Sequence, residues 1–200
     1  MSVSKIDAAY VFYKTHIFKP DLFEMLTSHG LKVPGSVPSV LWELFGSLLT
    51  GCNGAGNIGA DLQGWEVKSS TEGSSYEYQY HLNTGLKKLH EDCEVSHLFC
   101  SYARDYSSVE VRVIAGKDLA DSYFNNWIAG YLKNYDRQAD GASRKQRYRK
   151  SIPYGYVQKN GIVVLRIEEC EMVYKCEEAL NRFNSRVIII KDQVTTPIHS

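Results

Sequence analysis

The apolar positions of the first fifty residues recur at helical spacing. KIDAAYVFYKTHIF and KPDLFEMLTSHG read as two short helices, the second closing on a glycine suited to a C-cap. VPGSVPS then breaks the chain with two prolines, a glycine and two serines. In VLWELFGSLLTG, Leu41, Leu44, Phe45, Leu48 and Leu49 fall at i, i+3, i+4, i+7 and i+8, which predicts a third helix, N-capped by Ser39 and ended by Gly51. A glycine-rich loop follows over 52–60. ADLQGWEVKSS then switches to strand alternation, as a tight hairpin turning at Gln63-Gly64, before a polar loop over 69–75. HLNTGLKKLHEDC reads as a short helix with a basic outer face, and SHLFCSYAR and SVEVRVIAG as two strands. KDLADSYFNNWIAGYLKNY predicts a long amphipathic helix with Leu119, Tyr123, Trp127, Ile128 and Tyr131 on one side. RQADGASRKQRYRK reads as a basic loop. SIPYGYV, GIVVLRIEE and RVIIIKD read as further strands, with a helix around CEEALNRF.

This order predicts one α/β (α+β) domain over residues 1–200, a mixed central sheet flanked by helices. Within it, 1–35 form N-terminal helices, 36–161 the main core and 162–200 an added sheet and helix. Two hundred residues are enough to bury a core without staples, and the formal net charge is zero. Attraction to a polyanion must therefore come from a local patch. The five cysteines form no CxxC pair and read as reduced thiols, not a zinc site. With no 18-residue apolar run and no signal peptide, the expectation is a cytoplasmic protein with no membrane partner. Fourteen tyrosines are many for this length, and suit either half-buried strands or an interface.

The candidate chemistry lies in GNIGADLQGWEVKSS. Alternation on a strand puts Glu66 and Lys68 on one face, and the hairpin returns Asp61 beside Glu66. Two carboxylates and the Val67 carbonyl offer the hard oxygens that Mg2+ prefers, with Lys68 beside them to stabilise charge on a phosphate or orient a water. Taken alone, E-x-K is common on exposed strand faces. The glycine-rich loop, which lets a backbone approach closely, the hydroxyls of Ser69, Ser70 and Thr71, which can bond DNA phosphate oxygens, and an acid on the preceding helix, Glu43, favour a site over an ordinary hairpin. Glu43 suits a third acid or a solvated helix residue.

The run GNIGADLQGWEVKS resembles the active-site segment of the PD-(D/E)xK nuclease superfamily, in particular its PvuII-like type II restriction endonucleases. The order of later segments is similar too: His81-Leu82-Asn83 after the catalytic strand, the Tyr/Trp-rich helix, then SIPYGYV, together covering about residues 40–161. The motif's proline is absent, and the short spacing from Asp61 to Glu66 is nearer that of the superfamily's mismatch-repair nickases. The resemblance implies a restriction-endonuclease-like fold, with Asp61 and Glu66 as Mg2+ ligands (Mn2+ substituting) and Lys68 as the catalytic lysine. It places Gln79, Tyr80, His81 and Asn83 near base edges, and gives Arg137, Gln138, Arg144, Lys145, Gln146, Arg147 and Arg149 further base and phosphate contacts. RKQRYRK by itself reads as a solvated face, or as an RNA- or lipid-binding patch. The implied protein is a bacterial restriction–modification enzyme that hydrolyses double-stranded DNA. It would act as a homodimer through its N-terminal helices, whose apolar residues also suit packing within one subunit. A monomeric repair or nicking nuclease and an inactive DNA-binding protein are the alternatives.

Overall fold

The computed structural model describes residues 4–56, 59–136 and 147–194, with side chains to residue 185. Helix α1 (Lys5–Phe12) starts at Ser4, whose side chain accepts from the Asp7 amide, and runs on through one wide π turn to Ile17. Helix α2 (Pro20–Ser28) begins on a proline whose fixed φ suits a first turn. In α3 (Ser39–Thr50), Pro38 occupies the cap position and Ser39 is the first helical residue, so the expected serine cap is not made. Gly51 does close α3, in the left-handed conformation.

Five strands form the central sheet: β1 (Trp65–Thr71), β3 (Ser96–Tyr102), β4 (Val109–Ala115), β6 (Ile162–Glu168) and β7 (Glu171–Lys175), in the order β1-β3-β4-β6-β7. β1 and β3 are parallel and the other pairs antiparallel, which makes the sheet mixed. Parallel neighbours need a crossover. Here it carries β2 (Tyr76–His81) and helix α4 (Gly85–Glu94). β2 leaves the main sheet and pairs antiparallel with β5 (Arg147–Ile152) as a separate two-stranded ribbon. Every residue of β3 is buried, as expected of a strand covered on both faces.

One face of the sheet packs on α1, α2, α3 and the final helix α8 (Glu177–Val194), through Tyr13, Trp42, Phe45, Val67, Val111, Leu165, Leu180 and Phe183 among others. Gly46 lets α3 lie close, since a Cβ there would stand 2.8 Å from Val67 Cγ2. The other face packs on α4, on α5 (Gly116–Leu119) and α6 (Asn125–Asn134), which a π turn joins, on α7 (Tyr154–Asn160), and on the inner face of the ribbon. Tyr76, Tyr78, Tyr80, Tyr131 and Tyr148 are buried in this second core with Phe99, Phe124 and Trp127. Much of the tyrosine excess is therefore aromatic packing.

Four sequence expectations are corrected. SIPYGYV is not a strand: Ser151-Ile152 end β5, and Pro153 is the cap from which α7 starts. RVIIIKD is helical, because no glycine or proline interrupts α8 once Ala179, Leu180 and Phe183 have docked it. The polar loop over 69–75 begins later, since Ser69, Ser70 and Thr71 belong to β1. The basic segment 136–150 is not all loop, as Arg147–Lys150 lie in β5; residues 137–146 lie outside the described residues. β2 and β7 carry no clear strand signal, because tyrosine-rich and charged alternations resemble loop composition.

Candidate active site

The hairpin before β1 is reduced to one bridged pair. Leu62 and Trp65 exchange both backbone hydrogen bonds, at 2.9 and 3.1 Å, around Gln63-Gly64, with Gly64 at φ 81°. Asp61 therefore sits just ahead of the turn and not on a strand. Its Oδ2 accepts from the Val67 amide at 2.9 Å, and its own amide donates to Glu66 Oε2 at 3.3 Å. This reciprocal pair fixes the aspartate loop against β1. Within a strand, the N–H and C=O of one residue point to the same side. The Val67 carbonyl therefore faces the free edge of β1, where Asp61 lies.

Glu66 and Lys68 share the face of β1 that meets the second core, as their spacing predicts. Glu66 is fully buried. Lys68 Nζ stands 2.6 Å from Glu66 Oε1, and a second ammonium, Lys88 Nζ on α4, donates to Glu66 Oε2 at 2.8 Å. Lys88 also donates to the Gly59 carbonyl at 2.9 Å. The sequence pattern predicts a basic outer face for α4. Lys88 instead turns inward, and only the geometry of the crossover reveals it. Behind the lysines, the Lys68 ammonium lies 4.7 Å from the centroid of the Tyr78 ring. Tyr78 Oη bonds His97 Nδ1 at 2.9 Å, and His97 Nε2 bonds the Asp92 carbonyl at 2.8 Å. A carbonyl only accepts, so Nε2 carries the imidazole proton and Nδ1 accepts from the tyrosine. Tyr80 Oη donates to Asp92 Oδ2 at 2.8 Å.

The charges are strongly coupled. Burial pushes the Asp61 carboxyl up to about 6; the Glu66 charge adds to this and Lys68 opposes it. Burial also acts to raise Glu66, but the Lys68 and Lys88 ammoniums outweigh it and hold this carboxyl below its usual range. Burial and the charge of Glu66 push Asp92 up. Burial lowers His97 to about 4, so it is neutral at pH 7. Lys68 stays a cation: burial works against its charge, but Glu66 and Asp61 more than compensate.

Could this donor set hold a divalent ion? Glu66 Oε1 is buried and receives no aligned hydrogen bond, although the Lys68 charge is close. With Asp61 and the Val67 carbonyl it offers hard oxygens. Mg2+ is commonly held by one or two carboxylates, with water and substrate phosphate completing its shell. The donors fit such an ion in kind. Among the described residues, no group of three or more His, Cys, Asp or Glu side chains is arranged to hold a metal, so Glu43 is not gathered with Asp61 and Glu66. Glu43 is half-buried on α3.

The expected DNA-contact residues divide. Gln79, His81, Arg147 and Arg149 lie on the exposed face of the ribbon, in the register Gln79↔Arg149 and His81↔Arg147. Arg147 reaches Gln79 Oε1 at 3.5 Å, and Arg149 stands 3.9 Å from Glu77. Asn83 is exposed in the turn that follows β2. Tyr80 is corrected: the pleat turns it inward, with no exposed surface. Ser70 is also corrected, because it is buried and its hydroxyl is directed at the carbonyls of Thr71, Ser74 and Ser75. Ser69 shares the face of Val67, opposite Lys68. Arg137, Gln138, Arg144, Lys145 and Gln146 lie outside the described residues.

No protein-family model matches this chain, and no curated protein matches it. Among the described residues, no helix is long and apolar enough to cross a membrane.

Proposed function

We propose that the protein is a divalent-metal-dependent endonuclease acting on double-stranded DNA, of the type II restriction kind. The observation that carries this reading is the meeting of Asp61 and the Val67 carbonyl, at the free edge of β1, with Glu66 and Lys68 on the adjoining face of the same strand. Asp61, Glu66 and the Val67 carbonyl would hold Mg2+, or Mn2+ in its place. When bound, such an ion supplies positive charge against phosphate oxygens and promotes ionisation of water. Lys68, kept cationic and seated on the Tyr78 ring, donates to a phosphate oxygen as charge builds in the transition state. Water adds to phosphorus, the P–O3′ bond breaks, and the products carry 5′-phosphate and 3′-hydroxyl ends.

The ribbon supports a role in reading the duplex. A major groove admits a two-stranded β-ribbon, and the outer face here presents Gln79, His81, Arg147 and Arg149. Cutting both strands with one site per chain calls for two chains about a twofold axis. The exposed apolar side chains Val11, Leu22, Met25, Leu31, Val40 and Leu44, on and around the N-terminal helices, support that surface as the subunit contact. One observation favours a second reading, a DNA-binding protein without catalysis: two ammonium groups already neutralise Glu66. Digestion of a plasmid of known sequence with Mg2+, followed by sequencing of the ends, separates the two. Fixed sites with 5′-phosphate ends are expected; binding without cleavage in Mg2+ or Mn2+ selects the second reading.

A further inference from the structure

Helix α4 does more than fill the crossover. Two of its side chains, three positions apart and so on one face, reach back to the loop that precedes Asp61. Lys88 Nζ donates to the Gly59 carbonyl at 2.9 Å, and Glu91 Oε2 accepts from the Ala60 amide at 3.1 Å. The same lysine holds Glu66 Oε2 at 2.8 Å, the oxygen that also accepts from the Asp61 amide. Consecutive backbone groups of residues 59, 60 and 61 are thus tied to α4, to α4 and to β1. Gly59 fits this arrangement, at φ 106° and with Glu91 Oε2 2.5 Å from where a Cβ would stand.

The helix is itself held firmly. Leu89 and Asp92 are buried, Tyr80 and His97 bond Asp92, and Gly116 packs directly on the carbonyls of Asp92 and Val95. At its N-terminal end only residues 82–84 separate α4 from β2, and Tyr131 Oη bonds the carbonyls of His81 and Leu82, each at 2.8 Å. The ribbon strand, the turn and α4 form one continuous path from the exposed face of β2 to the Asp61 loop.

We infer that Lys88 and Glu91 are positioning residues: from α4 they clamp the Asp61 loop onto β1, so that Asp61 and Glu66 face one ion while Lys68 is left to face the phosphate. The role in cleavage rests on the nuclease reading above. The clamp is tested without it, by amide hydrogen exchange of the metal-free full chain. Lys88→Met should speed exchange at Ala60 and Asp61, and Glu91→Ala at Asp61 as well as at its own partner Ala60. Each change should be about tenfold or more, while β3 amides stay protected. Exchange at these amides unchanged in both variants would overturn the clamp. Should Lys88→Met fail to fold, Glu91→Ala decides the matter alone.

Mn2+ binding, followed by the electron paramagnetic resonance of the free ion, gives the second readout. Lys88→Met should weaken it by about 10- to 100-fold, as loss of an outer partner of a metal ligand does, with Lys88→Arg recovering most of the affinity, and Glu91→Ala should weaken it less, through the Asp61 loop alone. Mn2+ affinity at the wild-type level in both variants would contradict the role assigned to the clamp. If the exchange effects appear but the wild-type protein neither binds Mn2+ nor cuts DNA, the clamp stands and the nuclease reading fails.

Discussion

The ammonium of Lys68 lies over the ring of Tyr78, 4.7 Å from its centroid, and the hydroxyl of that tyrosine is held 2.9 Å from His97 Nδ1. The ring seats the cation and the hydroxyl fixes the ring, so the two parts separate by substitution. Tyr78→Phe keeps the seat but leaves His97 Nδ1 buried and unpaired. A stability loss of about 1–3 kcal/mol is expected, with the single-turnover cleavage rate within a few-fold of wild type. Tyr78→Leu removes the seat and should lower that rate about tenfold or more, with duplex affinity unchanged. Equal rates in the two variants would show that the ring does not serve Lys68.

His97 gives the protein a defined response to acid. Burial lowers it to about 4, whereas an unfolded chain takes up the proton near 6.5. Between those values the unfolded state binds more protons, so this group's contribution to stability falls as pH drops from about 6.5 to about 4. Imidazole nitrogen NMR should find His97 neutral at pH 6, with its proton on Nε2. Titration near 6.5 would contradict the buried Tyr78–His97–Asp92 chain.

Two glycines on the second face of the sheet should respond oppositely to alanine. At Gly116 a Cβ would stand 2.4 Å from the Asp92 carbonyl and 2.5 Å from that of Val95, both rigid backbone. Gly116→Ala should cost about 1–3 kcal/mol or more in urea unfolding. At Gly155, in α7, nothing lies within 4 Å of the added atom. Gly155→Ala should be neutral or stabilising by up to about 1 kcal/mol.

How far the sequence reveals this site follows from the period of each element. Asp61, Glu66 and Lys68 were legible because a strand repeats every two residues and Gln63-Gly64 announces a turn. Lys88 was not. A helix in a crossover turns toward the sheet the face that its neighbours dictate, and HLNTGLKKLHEDC has two adjacent lysines of which only Lys88 points in. Tyr80 illustrates the converse: the tyrosine-rich β2 carries no clear strand signal, so its alternation does not separate the inward face of its tyrosines from the outward face of Gln79 and His81. RVIIIKD misled because β-branched composition is a weak guide once a docked helix can simply continue.

The ribbon should supply charge to duplex binding. Arg147→Ala and Arg149→Ala, which trim the exposed face of the ribbon, should each weaken binding. Each should also flatten the slope of log affinity against log salt by about 1 for every phosphate left without its arginine. Fluorescence anisotropy across a salt series measures both. Unchanged slopes would move the duplex off this face.

The most direct measurement compares wild type with Lys68→Ala in Mg2+, reading cleavage of a supercoiled plasmid and binding of the same DNA side by side. Cleavage by the wild type is expected, with loss of about a hundredfold or more in the variant and little change in binding. Unchanged cutting by Lys68→Ala, or no cutting by wild type in either Mg2+ or Mn2+, would contradict the assignment of Asp61, Glu66 and Lys68 as a nuclease centre.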